Sequence, residues 1–299
     1  MAVRGHRDQG FSRLDWPHEV TGVTIEARLP TPYGHICWGY DDPAAFDVRA
    51  RSYLAEGLAV GEQVWFVAAG RPETLLERLR AVPGFPEALR RGAARIVPLT
   101  DAYRHDRIVD PATQVRAYAQ ATEAALAAGH TGLRVVAEAT PLVRTPAQLD
   151  AFVRYEHLVD RYMRTRPMSA LCAYHRPTLG DRTLAELACV HPQTNSEDVL
   201  FRLYACPPAD GCAAVAGELD PSNHDLFATT LDRADLRPVD GRLVVQADNL
   251  RFIDHRSLLH LHEYARRRDA TAVLRTSRSA PARLVELLQL SAVHVETSR

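Results

Sequence analysis

His35 and Cys37 stand at alternate positions, so on one strand both side chains point the same way. With Cys172, His175 and His191 they offer thiolate and imidazole, the ligand types that suit zinc or iron. The spacings H-x-C and C-x-x-H match no zinc signature. The expectation is therefore buried structural cysteines and capped histidines, with no metal and no cofactor; His35, Cys37, Cys172 and His191 are the metal candidates if there is one. Glu138 and Glu156 raise a second chemistry. An acid/base pair needs surroundings that drive two carboxyl pKa values apart. The plainer expectation is that Glu138 accepts from a loop amide and Glu156 pairs with an arginine. Neither a G-x-S-x-G elbow nor H-E-x-x-H is present, so hydrolase chemistry has no anchor.

The elements that must position these residues alternate between strand and helix. Short apolar runs predict strands at Ile36 to Tyr40, Gln63 to Ala69, Arg95 to Leu99, Leu133 to Ala139 and Met168 to Tyr174. Helical spacing predicts helices at Pro43 to Gly57, Pro72 to Val82, Pro111 to Ala128, Pro146 to Arg164 and Leu184 to Val190. Such alternation argues for a mainly parallel α/β sheet covered on both faces. Open sheets of this kind bind ligands at the carboxyl ends of their strands. Tyr40, Asp41, Glu138 and Tyr174 fall near those ends and, with Glu156, are the candidate ligand-binding residues.

A polar stretch from Gln193 to Val199 reads as a linker, and Pro207 to Gly211 as a turn. A second α/β unit follows. Strands are expected at Cys212 to Gly217, Arg242 to Ala247, Ala272 to Thr276 and Ala292 to Val295. Helices are expected from Pro221 to Ala234 behind Asp220, from Asp254 to about Arg268, and from Pro281 to Leu288. The organisation reads as a flexible tail over 1–17, a first domain over 18–205 and a second over 206–299.

Composition narrows the function classes. Hydrophobic residues make up 46% and charged residues 24%, so a folded chain is expected. All the basic residues are Arg; with a net charge of -1 there is no basic surplus for a nucleic-acid partner. The run Arg266-Arg267-Arg268 reads as the dipole-complementing end of a helix. No apolar run reaches the roughly 18 to 20 residues that cross a bilayer. The N-terminus carries Arg4, Arg7 and Arg13 but no apolar h-region, and the five cysteines are scattered. A cytoplasmic protein with reduced thiols is expected.

The second unit resembles the STAS domain of anti-sigma factor antagonists. Gly217-Glu218-Leu219-Asp220, the strand and turn from Leu243 to Asp254, and the late Val285-Glu286-Leu287-Leu288 helix carry the resemblance over roughly Leu203 to Val295. In that family a D-S-S-G or D-S-T-G turn is phosphorylated by an anti-sigma kinase. Here the turn reads Asp254-His255-Arg256-Ser257, with His255 at the phosphorylated position. The usual switch is therefore absent, and Ser257 reads as a first-turn helix residue. The resemblance implies docking on an anti-sigma kinase-like protein or another STAS protein.

The first unit resembles the MEDS sensory domain over about residues 20–205. The matching stretches are His35-Ile36-Cys37, Gly39-Tyr40-Asp41, Glu56-Gly57-Leu58, Gly61-Glu62, Leu133 to Glu138, Tyr155-Glu156, Leu171 to Tyr174 and His191-Pro192. That likeness implies a degenerate RecA-like fold. A Walker loop needs backbone amides and a Lys around phosphates. The corner Gly39-Tyr40-Asp41-Asp42-Pro43-Ala44 has two carboxylates instead, and the chain has no Lys. The expected function is signal transduction: a ligand- or redox-sensing domain coupled to a docking domain, and not an enzyme. The alternatives are an enzyme acting on a non-nucleotide small molecule, or a non-sensing STAS scaffold.

Overall fold

Residues His35–Tyr40 form β1 and run into a turn that Asp42 closes. The Asp42 carboxylate accepts from the Ala44 amide and Pro43 takes the first helical position, so α1 (Pro43–Ala59) begins there. The computed structural model describes residues 34–103, 108–208 and 211–298. The tail expected over 1–17, and the beginning of the first domain at 18, lie outside the described residues.

From α1 the chain passes through β2 (Gln63–Ala68), α2 (Pro72–Leu79), α3 (Phe85–Arg90), β3 (Ala94–Pro98) and α4 (Leu99–Ala102). Next come α5 (Pro111–Ala127), β4 (Leu133–Glu138), a 3-10 turn (Thr140–Leu142) and α6 (Pro146–Met163). Thr145 and Gln148 form a reciprocal capping box at the start of α6. Then follow β5 (Met168–His175), α7 (Arg176–Ala188) and β6 (Gln193–Thr194). The six strands make one parallel sheet in the order β3-β2-β4-β5-β1-β6. The α/β fold class expected from the alternation is the one observed.

Two apolar layers cover this sheet. Phe46, Leu54, Leu75, Phe85 and Phe66 fill the layer beneath α1, α2 and α3. Tyr118, Phe152, Val159, Leu184 and Leu187 fill the opposite layer, beneath α5, α6 and α7. Because successive strand residues alternate faces, residue parity decides which layer each side chain enters. Cys37 and Tyr174 enter the second layer, whereas Tyr40 and Ala173 enter the first.

A second sheet begins at β7 (Phe201–Tyr204), which lies antiparallel to β8 (Ala213–Leu219). After α8 (His224–Ala234) come β9 (Arg242–Gln246), β10 (Leu250–Ile253), α9 (His255–Arg266), β11 (Thr271–Arg275), α10 (Ala280–Leu287) and β12 (Val293–Glu296). The order is β10-β8-β9-β11-β12, with β7 on β8. The second sheet shares an apolar layer with the first: Leu203, Val215, Phe227 and Leu231 are contiguous with Cys37, Val135 and Leu187.

Several expectations need correction. The stretch Gln193 to Val199 is not a free linker. β6 pairs with β1, and Asn195 bonds both the amide and the carbonyl of Gly39 at 2.8 Å. α7 starts at Arg176, eight residues before the expected Leu184, with non-helical backbone at Gly180. α8 starts at His224, because Asp220 accepts from Ser222 in a local turn and leaves Asn223 as the cap. β7, β10, α3 and α4 were not expected; each is short, so periodicity had little to register.

Gly217 lies in β8 at φ 90, and a Cβ there would sit 2.1 Å from the Leu200 carbonyl oxygen. Strained backbone of this kind costs of order 1–3 kcal/mol before any clash. Gly217→Ala should therefore lower stability by at least about 2 kcal/mol. Thermal denaturation checks this, and an unchanged melting temperature contradicts it.

Candidate functional site

The sequence candidates separate into two groups, one on each face of the first sheet. Gly39 pairs in register with Tyr174, so Tyr40 and Tyr174 project to opposite faces. Tyr40 is buried against Phe46, with ring centroids 5.0 Å apart, and donates from its hydroxyl to Glu138 Oε1 at 3.0 Å. Glu138 also accepts from the Thr140 amide at 3.3 Å, the loop contact expected for it. Thr140 Oγ1 in turn accepts from the His175 amide at 2.8 Å. The carboxyl ends of β1, β4 and β5 are thus tied together by their own side chains. Asp41 stays exposed, 3.5 Å from Arg176.

The other group is buried under α6. Glu156 projects from that helix against the second layer of the sheet and has no exposed surface. Its Oε1 accepts from the Tyr174 hydroxyl at 2.7 Å, and its Oε2 lies 3.1 Å from His35 Nε2. Cys172 Sγ lies 3.6 Å from His35 Nε2 and 3.7 Å from Glu156 Oε2. His191 Nε2 approaches the same carboxylate oxygen at 3.8 Å. One ligand atom from each of His35, Glu156, Cys172 and His191 falls within 4.8 Å of every other. Three of the four metal candidates from the sequence are therefore brought together. Cys37, by contrast, engages Thr194, and His175 hydrogen-bonds Thr178 at 2.6 Å on the far side of the strand end.

Glu138 and Glu156 do not form an acid/base pair, because the sheet lies between them. Nor does Glu156 pair with an arginine; its ring neighbours are the two histidines, His35 and His191. The arginine goes to Asp160, which the sequence reading missed. Asp160 follows Glu156 by four residues and so shares its helix face, a signal that the spacing carried. It accepts from Arg164 at 2.9 and 3.1 Å, lies 3.3 Å from His35 Nδ1, and accepts from the Ala205 amide at 2.9 Å.

The electrostatics follow from burial and charge together. Burial alone would lower the pKa of His35, but the neighbouring carboxylates of Asp160 and Glu156 outweigh it and raise it to about 9. His191 is pushed down to about 4 by burial and by the neighbouring His35. Glu156 is held below the usual carboxylate value despite its burial, first by His191 and then by His35. Burial and the Glu156 charge push the Cys172 thiol far up.

Residues 34–192 match the family model MEDS, the methanogen/methylotroph, DcmR sensory domain. This chain belongs to the MEDS family. No curated protein and no solved structure matches it. The MEDS match takes in the first five strands of the six-strand sheet, ends just before β6, and contains His35, Glu156, Cys172 and His191. A MEDS domain is a sensory domain, so the buried cluster lies within the part of the chain assigned to sensing. No helix among the described residues is long and apolar enough to cross a membrane.

Outside the MEDS match, Asp254 caps α9 by accepting from the Ser257 amide at 2.9 Å, and its other oxygen lies 2.5 Å from His224 Nε2. Ser257 is fully buried, whereas His255 and Arg256 are exposed. A kinase cannot reach Ser257 without opening the first turn of α9. Burial opposes ionisation of Asp254, but the Ser257 amide and His224 outweigh it and hold the carboxyl below its usual value. Its contribution is therefore present above an unfolded value near ~3.9 and lost as pH falls through the lower folded value. Asp254→Ala should cost about 1–2 kcal/mol at neutral pH, and the difference from wild type should shrink below about pH 4. Urea titrations of both proteins across that range measure it.

Proposed function

We propose that this MEDS protein is a non-catalytic signal transducer, in which the first sheet senses a small molecule or redox state and the second passes the change on by docking. The observation that carries the reading is the position of Asp160. One carboxylate meets His35 in the sensory core, Arg164 on its own helix, and the Ala205 amide immediately after β7. A change in the cluster therefore bears directly on the first strand of the second sheet. A second link runs beside it: the Leu203 amide donates to the Cys189 carbonyl at 2.6 Å, two residues before His191.

Helix packing supplies a further mechanical connection. Arg233 of α8 reaches Asp150 of α6 at 2.7 Å and Glu186 of α7 at 2.5 Å. Cys189 Sγ lies 3.1 Å from Thr230 on the same helix. Coupling between sites needs an interface whose geometry both can bias, and these contacts supply one.

The second sheet is read as a STAS-type docking domain. Support comes from its mixed topology, from the Gly217 to Asp220 segment that ends β8, and from Asp254 as the cap of the following helix. The partner class is an anti-sigma kinase-like protein or another STAS protein. The buried Ser257 and the His255 substitution favour docking without phosphorylation of this turn. Absence of catalysis is favoured by the first corner: Asp42 occupies the α1 amide that a phosphate would need, and Asp41 adds a second carboxylate beside it.

Crosslinking of the full-length chain in extract from its host should recover a partner of the anti-sigma kinase or STAS class, with no ATP hydrolysis above background. Recovery of neither class, or magnesium-dependent ATP turnover, overturns the reading. Asp160→Asn should speed amide exchange in β7 and β8, and should cost on the order of 3–5 kcal/mol by leaving buried charges unpaired. Unchanged exchange in both strands argues against the coupling.

A further inference from the structure

The four ligand-competent side chains under α6 are arranged as a coordination shell, outer contacts included. A tetrahedral site with metal–nitrogen and metal–oxygen bonds near 2.0–2.1 Å and a metal–sulfur bond near 2.3 Å has ligand–ligand edges of about 3.3–3.6 Å. The separations of 3.1, 3.6, 3.7 and 3.8 Å bracket that range. The remaining pairs lie within 4.8 Å, so shifts of up to about an ångström would bring all four atoms onto one centre.

The atoms behind them are fixed. His191 Nδ1 lies 2.8 Å from the Leu187 carbonyl, so it donates there, and neutral imidazole then carries its lone pair on Nε2. That Nε2 is buried with no hydrogen-bond partner, and it points at a carboxylate oxygen that also carries lone pairs. Two acceptors facing each other in a dry core are costly unless a cation lies between them. Behind His35, Nδ1 lies 3.3 Å from Asp160, close enough for ion pairing though not aligned as a full hydrogen bond. Behind Glu156, the Tyr174 hydroxyl occupies Oε1 and leaves Oε2 turned inward. A carboxylate behind one imidazole, a backbone carbonyl behind the other and a hydroxyl behind the ligating carboxylate are the outer contacts that orient metal ligands.

We propose that His35, Glu156, Cys172 and His191 form a closed, four-coordinate site for a divalent transition metal of the Zn2+ class. The donor set decides the class. Thiolate and imidazole select zinc, cobalt or ferrous iron over magnesium and calcium, which take oxygen ligands. Thiolate and carboxylate together neutralise a dication, and the Cys172 thiol and the protonated His35 Nε2 each release a proton to solvent as the Sγ–metal and Nε2–metal bonds form. All four residues are buried and all four positions belong to the protein, which is the pattern of a structural centre. The metal joins β1, β5, α6 and the segment after α7 at one point. This inference does not rest on the signalling reading, since metal content is independent of any docking partner.

The test uses the full-length chain purified without chelators or metal-affinity resin. Elemental analysis should find about one equivalent of metal per chain, and Co2+ exchanged into the protein should give intense visible bands with a thiolate-to-cobalt charge-transfer band. Cys172→Ser should abolish the charge-transfer band. Asp160→Asn, a positioning change, should weaken Zn2+ binding about 10–100-fold while the charge-transfer band persists at saturating Co2+. Cys189→Ser, at a buried cysteine outside the cluster, should leave both metal content and spectrum unchanged. Wild-type protein that is folded by circular dichroism, yet holds less than about a tenth of an equivalent and gives no thiolate–cobalt band, overturns the proposal; that result needs no variant to fold.

Discussion

A carboxylate with no exposed surface lies beneath a six-strand parallel sheet, and it has to be neutralised where it stands. Glu156 is charged in a place where isolated charge is expensive, so its surroundings are tightly constrained. His35 and His191 reach it from two different elements, Tyr174 caps its second oxygen, and Asp160 and Arg164 extend the network by one further ion pair. Removing His35 or Tyr174 strips a hydrogen bond from this buried carboxylate. The network therefore fixes how α6 lies on the sheet. It also fixes where the chain must return after α7, since His191 has to arrive at the same point.

The same network explains why the two sheets are mechanically continuous. Asp160 ends one of its branches on the backbone after β7, so the second sheet begins at an atom that the charge cluster holds. α8 then packs across α6, with Arg233 bridging to both α6 and α7. An apolar layer runs unbroken from one sheet to the other. These are the conditions under which a local rearrangement is passed on and not absorbed, because close-packed interiors shift between discrete arrangements.

At the carboxyl ends of the strands the picture differs. The amide at the start of α1, where an anion would dock, is taken by Asp42. The space between β1, β4 and β5 is bridged by the Tyr40, Glu138 and Thr140 contacts. A fold that commonly opens a ligand crevice at this edge has closed it with its own side chains. The chemically distinctive cluster lies instead on the opposite face, under α6.

How much was legible in the sequence can be read residue by residue. Alternation of apolar strand runs with helical spacing was enough to give the parallel sheet and most of its helices, because period two and period 3.6 are local properties of the chain. The types of His35, Cys172 and His191 marked them as metal-competent, and Asp254 was recognisable as a helix cap. The four-residue spacing from Glu156 to Asp160 was there to be used and was not. What the sequence by itself determined was the kind of chemistry each residue could do and the face of its own element on which it sits. Which residues share a site was decided only by the tertiary structure. The pairing of Gly39 with Tyr174 puts Tyr40 and Tyr174 on opposite faces, and a shift of one residue would have reversed it. The distance between Glu156 and His191 depends on how a helix and a returning loop pack against the sheet, which no local spacing encodes.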